Sequence, residues 1–123
     1  MTITLNHTIV PARDKSASAT FLAELLGVEV SPPAGPFVPV KINEDLTFDF
    51  DDRREPLPGH YAFLVDDTTF DRILNHAQTR GLAFGSGPGG GWDGRMNHLN
   101  GGRGVYIQDP NGHSYEFFTV VPS

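Results

Sequence analysis

The chain has no cysteine, one tryptophan and two methionines among its 123 residues. Without cysteine, a disulfide framework, a thiolate metal site and a thiol nucleophile are all excluded. Basic charge is scarce as well: nine Lys plus Arg against fifteen Asp plus Glu leave a net −6. A surface that grips nucleic acid through its phosphates needs the opposite balance, so no nucleic-acid partner is expected. Long apolar runs are missing, and Met1-Thr2-Ile3-Thr4-Leu5 shows no basic region leading into a hydrophobic core. Neither a membrane span nor secretion is therefore expected, and a cytoplasmic protein is. What the chain has in excess is chain breakers. It carries 14 Gly and 10 Pro, about a fifth of the residues against a usual ~12%. With 38% hydrophobic and 11% aromatic residues it still suits one packed domain over 1–123.

The breakers and the acids are unevenly placed. Ten of the fourteen glycines fall between Gly81 and Gly104, and six of the ten prolines between Pro32 and Pro58. Each half of the chain thus has its own loop region. Glu44, Asp45, Asp49, Asp51, Asp52 and Glu55 face only Arg53 and Arg54, so this segment carries −4 of the −6. The simplest expectation for it is a solvated strand end and turn.

Two helices are expected. The first runs from Asp14 or Ser16 to Leu26, with Ala17, Phe21, Leu22, Leu25 and Leu26 as its apolar stripe and Gly27 as its exit. The second runs from about Asp67 to Arg80, capped by Asp67, with Phe70, Ile73, Leu74 and Ala77 on one face and Gly81 as its exit. Period-two alternation predicts strands over Ile3–Val10, Val38–Ile42, Leu46–Phe50, His60–Val65, Gly104–Gln108 and Ser114–Val120. Asp109-Pro110-Asn111-Gly112 is a hairpin turn signal.

The order of elements repeats. A strand with a histidine, a helix, a glycine, a short strand, a loop and a hairpin occur twice, and His7 to Gly27 (20 residues) matches His60 to Gly81 (21). This predicts an α+β fold of two βαβββ modules, about 1–53 and 58–120, joined near Arg53–Gly59. Each sheet would cover its helix with one face and leave the other concave, the two sheets forming an open barrel around a cavity.

Strand parity then selects side chains. Tyr61, Phe63 and Val65 form a bulky set on one face of their strand, so His60 points the other way; Tyr115 and Phe117 likewise leave Glu116 pointing inward. His7 holds in module one the place that His60 holds in module two. Two imidazoles and one carboxylate, with open positions for water or substrate, suit Fe(II), Mn(II), Zn(II) or Ni(II). Asp49, on the cavity face of the Asp45–Phe50 strand, is a possible further ligand. His76 and His113 are expected on a helix flank and at a turn or cavity rim. Gly85 to Gly104 lacks the Gly-Lys-Ser/Thr ending of a phosphate loop. Two readings of it are equally open: a mobile loop placing Trp92, Arg95, Met96 and Asn97 over the cavity mouth, where Trp92 could stack on a flat substrate and Arg95 meet an anionic group, or a surface hairpin excursion that Trp92 packs down. Arg103 reads as a strand-end charge.

From Leu5-Asn6-His7 to Tyr115-Glu116-Phe117-Phe118 the chain resembles a single-unit member of the vicinal oxygen chelate superfamily. That superfamily includes glyoxalase I, extradiol ring-cleaving dioxygenases, fosfomycin-resistance transferases and bleomycin-resistance proteins. The most specific stretch is Gly104-Val105-Tyr106-Ile107-Gln108-Asp109-Pro110-Asn111-Gly112-His113-Ser114-Tyr115-Glu116. The resemblance implies paired βαβββ modules and metal ligands at His7, His60 and Glu116. His98, Val105, Tyr106, Asp109, Pro110, Gly112 and Glu116 also fit the extradiol dioxygenase signature, which implies His98 and Tyr106 as catalytic acid/base groups. Met96 departs from that signature, and many extradiol enzymes carry two pairs of modules where this chain has one.

The function expected is a metal-dependent enzyme, glyoxalase- or extradiol-dioxygenase-like, acting on a small bidentate oxygen substrate contacted by Trp92, Arg95 and Asn97. The alternative is a metal-free, bleomycin-resistance-like module that sequesters an aromatic or cationic molecule, using Trp92 and the acidic segment. A third is a regulatory relative that kept the residues without the activity. The resemblance also implies a homodimer, in which His7 meets His60 and Glu116 of its own chain or of its partner.

Overall fold

The computed structural model describes residues 1–88 and 91–122, and the chain divides between Leu57 and Pro58 into two units. In the first, β1 (His7–Pro11) leads into α1 (Lys15–Leu26), followed by β2 (Val38–Lys41) and β3 (Thr47–Asp51). In the second, β4 (His60–Leu64), α2 (Asp67–Thr79), β5 (Phe84–Gly85), β6 (Gly104–Gln108) and β7 (Ser114–Phe118) follow the same order. The fold is α+β, with two helices and two mixed, unclosed sheets of three and four strands.

The sheets repeat one topology. The first is ordered β1-β3-β2 and the second β4-β7-β6-β5. In each, the first strand pairs parallel to the last and the hairpin pairs antiparallel. The expected short strand after the first helix shrinks in unit 1 to one bridge, Val30 to Val40, whereas in unit 2 it forms β5. The run Met1–Asn6, expected to begin a strand, has no regular structure.

Helix ends follow local chemistry. Asp14 caps α1 by accepting from the Ala17 amide at 3.0 Å, and Gly27 exits at φ 73°. The cap of α2 is Asp66, which accepts from Thr69 N at 2.8 Å, and not the Asp67 expected from sequence. Neighbouring aspartates compete for that role, and the one with extended backbone wins. The buried face of α1 is Ser18, Ala19, Leu22, Ala23 and Leu25. Ala17 is exposed and Phe21 and Leu26 are half-buried, so the expected stripe was rotated by part of a turn. In α2 Phe70, Ile73 and Ala77 are buried as expected, with Leu74 half-buried.

In unit 1 Val10, Leu22, Leu25, Val40 and Phe50 are fully buried, and α1 contacts β2 and β3. In unit 2 the fully buried set includes Phe70, Ile73, Val105, Ile107, Tyr115 and Phe117. Phe63 stacks on Phe117 at 5.2 Å and is tilted against Tyr115 at 6.4 Å, which joins β4 to β7 through side chains as well as hydrogen bonds. Arg103, more than a strand-end charge, clamps β6 to α2. Its Nη1 donates to Asp71 at 2.6 Å and its Nη2 to Asp67 Oδ1 at 2.9 Å, while the guanidinium lies 4.6 Å from the Phe70 ring centroid.

Candidate active site

His60 and Glu116 stand on adjacent parallel strands, two register positions apart: His60 opposes Ser114 and Ala62 opposes Glu116. His60 Nε2 and Glu116 Oε1 are 2.8 Å apart, the imidazole half exposed and the carboxylate almost wholly enclosed. A carboxylate can only accept, so Nε2 carries the proton in this pair. Tyr106 on β6 opposes Glu116 directly, and its ring centroid is 5.7 Å from that of His60. Burial, then the Glu116 charge and a hydrogen bond to it, push the Tyr106 phenol up to about 12. At neutral pH it is a proton donor held beside a carboxylate and an imidazole. Sequence parity anticipated His60 and Glu116, and the hairpin register brings Tyr106 to the same pair.

Unit 1 holds the counterpart positions. His7 opposes Thr47 and Ile9 opposes Asp49, the same two-step offset that relates His60 to Glu116. The exposed His7 ring pairs through Nδ1 with Asn6 Oδ1 at 2.8 Å. Asp49, one carbon shorter than Glu116, is half-buried on β3. Among the described residues no group of three or more His, Cys, Asp or Glu side chains stands ready to hold a metal ion.

A second histidine shapes the site from behind. His113 is fully buried, and its Nδ1 accepts from the Gly59 amide at 2.8 Å. Ser114 N in turn donates to Gly59 O at 2.8 Å, so the residue before His60 is held at both backbone groups. His113 was expected at a turn or cavity rim, and its amide does serve the turn; the signal for its burial was parity, since it precedes the buried Tyr115 and Phe117 by two and four residues. Asp109 fixes that turn, accepting from Asn111 N at 2.9 Å, Asn111 Nδ2 at 3.0 Å and His113 N at 2.8 Å. Of the Asn-Gly pair only Gly112 adopts a positive φ.

The loop expected to carry substrate contacts is laced internally over its described residues; Gly89 and Gly90, within it, lie outside them. Asp93 accepts from Ser86 Oγ at 2.6 Å and from the Ser86 and Arg95 amides, each at 3.0 Å. These bonds, led by the one from Ser86, hold its carboxyl below the usual range. Asn97 donates to Ser86 O at 2.9 Å and accepts from Leu99 N at 3.2 Å, so both ends of its amide are engaged within the loop. Trp92 is half-buried with φ 46°, and Arg95 and His98 are exposed. The His98 side chain makes no hydrogen bond, ion pair or ring contact among the described residues.

A family model for the glyoxalase/bleomycin resistance protein/dioxygenase superfamily matches residues 4–117. Among solved structures, oxidase ChaP-H2 is 48% identical with a TM-score of 0.94, covering 100% of this chain and 98% of that one. Oxidase ChaP-H1 is 45% identical with a TM-score of 0.91 and 98% coverage of both chains. The fosfomycin resistance protein FosX from Mesorhizobium loti shares the fold at 21% identity and a TM-score of 0.73, covering 98% of this chain and 95% of that one. Comparison with curated proteins gives no match. With most of its length matched by the family model and near-complete overlap with relatives 45% and 48% identical, the chain belongs to the glyoxalase/bleomycin resistance protein/dioxygenase superfamily.

Proposed function

We propose that the protein is a metal-dependent oxidative enzyme acting on a small substrate with two adjacent oxygen donors. The observation that carries this reading is the 2.8 Å approach of His60 Nε2 to Glu116 Oε1. An imidazole nitrogen and a carboxylate oxygen about 3 Å apart suit neighbouring positions around one cation with ligand distances of about 2.0–2.2 Å. His7, at the matching register position of the first sheet, is the proposed third ligand, supplied by this chain or a second copy; Asp49 is its shorter-armed reserve. Fe(II), Mn(II), Zn(II) and Ni(II) all accept such N and O donors, and such an ion would polarise bound oxygen donors. The two relatives at 45% and 48% identity are oxidases, which favours dioxygenase-like over lyase chemistry and Fe(II) or Mn(II) over the others.

The chain's own residues do the rest. Glu116, enclosed and fixed between β4 and β6, accepts the His60 Nε2 proton in the metal-free pair, and that proton must leave before the two side chains can share an ion. Tyr106, neutral at physiological pH, offers its hydroxyl proton to a developing substrate oxyanion. His98 is a second proposed proton carrier, and Trp92, Arg95 and Asn97 are proposed to border the substrate. Protein purified without chelators is expected to hold metal stoichiometrically, and His60→Ala and Glu116→Gln to lose it. With Fe(II) loaded, oxygen uptake with a catechol is expected. Tight ligand uptake indifferent to chelator, in a protein free of metal, would replace this reading with the sequestering module.

A further inference from the structure

Unit 1 contains a cavity of about 200 Å³ lined by Ile9, Pro11, Asp51, Arg53 and Arg54. It adjoins the face of the first sheet that also carries His7, because His7, Ile9 and Pro11 alternate along β1. The walls come from the ends of β1 and β3, and Arg53 and Arg54 follow β3 after Asp52.

Three carboxylates of the acidic segment are paired around this cavity, while Asp49, opposite Ile9 in the sheet register, makes no ion pair among the described residues. Asp51 takes Arg53 in a forked pair, Nε to Oδ1 at 2.9 Å and Nη2 to Oδ2 at 3.0 Å. Asp52 pairs with Lys15 at 3.7 Å and Glu55 with Arg13 at 3.0 Å. Arg54 makes no ion pair among the described residues, so its guanidinium is not engaged by a carboxylate of the segment. The lining itself carries two arginines against one aspartate, within a chain of net charge −6.

Arg53 is also held in advance. The Asp51 carboxylate that grips it is 5% exposed, and the Phe37 ring centroid lies 5.4 Å from its guanidinium carbon. Its Nη1 engages in no hydrogen bond among the described residues, which leaves two N–H donors on a guanidinium that needs no reordering to use them. Beside it stand the apolar side chains of Ile9, half exposed, and Pro11. A site with two arginines and an apolar wall recognises an oxyanion attached to a small apolar body.

We propose that this pocket binds a carboxylate or phosphate group carried on a compact apolar ligand, with Arg53 and Arg54 as its two donors and Ile9 and Pro11 as the wall. The proposal needs neither His60 nor Glu116 and does not need a metal. It is tested on the full chain by amide and arginine side-chain NMR during titration with benzoate, phenyl phosphate and neutral benzamide. Saturable shifts at Ile9, Arg53 and Arg54 are expected from the two anions and none from benzamide, and the tighter anion identifies the preferred headgroup. Arg54→Gln, a change at an exposed side chain, is expected to weaken anion binding at least about fivefold, and Arg54→Lys to restore part of it. Absence of anion-induced shifts at these residues, equal shifts from benzamide, or wild-type affinity in Arg54→Gln would each overturn the proposal.

Discussion

The Nδ1 of His113 accepts the backbone N–H of Gly59 at 2.8 Å, across 54 residues of chain. A buried side chain thereby fixes the backbone just ahead of His60. A Cβ built on Gly59 would lie 3.1 Å from the Tyr61 ring and 3.3 Å from His113 Nδ1, so any side chain there would crowd both rings. His113→Ala orphans the Gly59 amide, and the expected loss is about 1–3 kcal/mol of folding stability. His113→Asn, whose Oδ1 can replace Nδ1 as acceptor, is expected to recover part of that loss. Denaturant unfolding of the three proteins checks this, together with Gly59 amide exchange, which should quicken in the alanine variant alone.

Asn97 and Gly104 bond to each other through both backbone groups, at 2.8 and 3.0 Å. A Cβ at Gly104 would lie 2.6 Å from Asn97 Oδ1, and that amide is pinned by Ser86 O and Leu99 N. Gly104→Ala is expected to cost about 1–3 kcal/mol through this crowding. Because the clash is with one side chain, the Asn97→Ala, Gly104→Ala double variant is expected to be more stable than the two single losses summed. A double-mutant cycle from thermal melts reads the coupling. Strict additivity would place the strain elsewhere.

Tyr106 gives an alkaline prediction. Its phenol, with an ordinary value of 10.0, is pushed up to about 12 in the folded protein. Its raised value contributes stability that is complete below pH 10 and is lost as pH climbs from 10 toward 12. Tyr106→Phe is therefore expected to melt with a shallower decline over that window. Tyr61 and Tyr115, raised chiefly by burial, keep the decline from vanishing. Glu116→Gln is expected to lower the Tyr106 value, measured by ultraviolet titration, since one of the charges that raises it is gone.

Asp66 gives the acid counterpart. Its hydrogen bonds from Thr69 at the start of α2 hold its carboxyl below the usual 3.8. A depressed value contributes stability that is present above pH 3.8 and is lost as pH falls through the lower folded-state value. Asp66→Ala is expected to be less stable than wild type at pH 7, and the gap to narrow in strong acid. Asp67→Ala, which leaves the cap intact, is expected to show no such narrowing of a capping loss; its effect is read instead through Arg103, which it partners.

Much of this protein is written locally. Alternation placed six of the strands to within a few residues, and the glycines at 27 and 81 end both helices with left-handed φ because no other residue adopts it so cheaply. The repeat of elements was legible because each unit must bury the same helix against the same kind of sheet. Parity alone pointed His60 and Glu116 to one face, since successive side chains on a strand alternate by geometry. Other features depend on partners far along the chain. Whether Asp66 or Asp67 capped α2 turned on backbone angle. The burial of His113 turned on the Gly59 amide 54 residues away, and the laced form of the Ser86–Gly104 loop on side-chain hydrogen bonds from Asp93 and Asn97. The charge of the acidic segment shows the division most plainly. Composition counted six carboxylates and two arginines, but only the tertiary structure gave Asp52 to Lys15 and Glu55 to Arg13 and left Arg54 without an ion pair among the described residues. Electrostatic pairing depends on distance in space, and a linear sequence does not contain that distance.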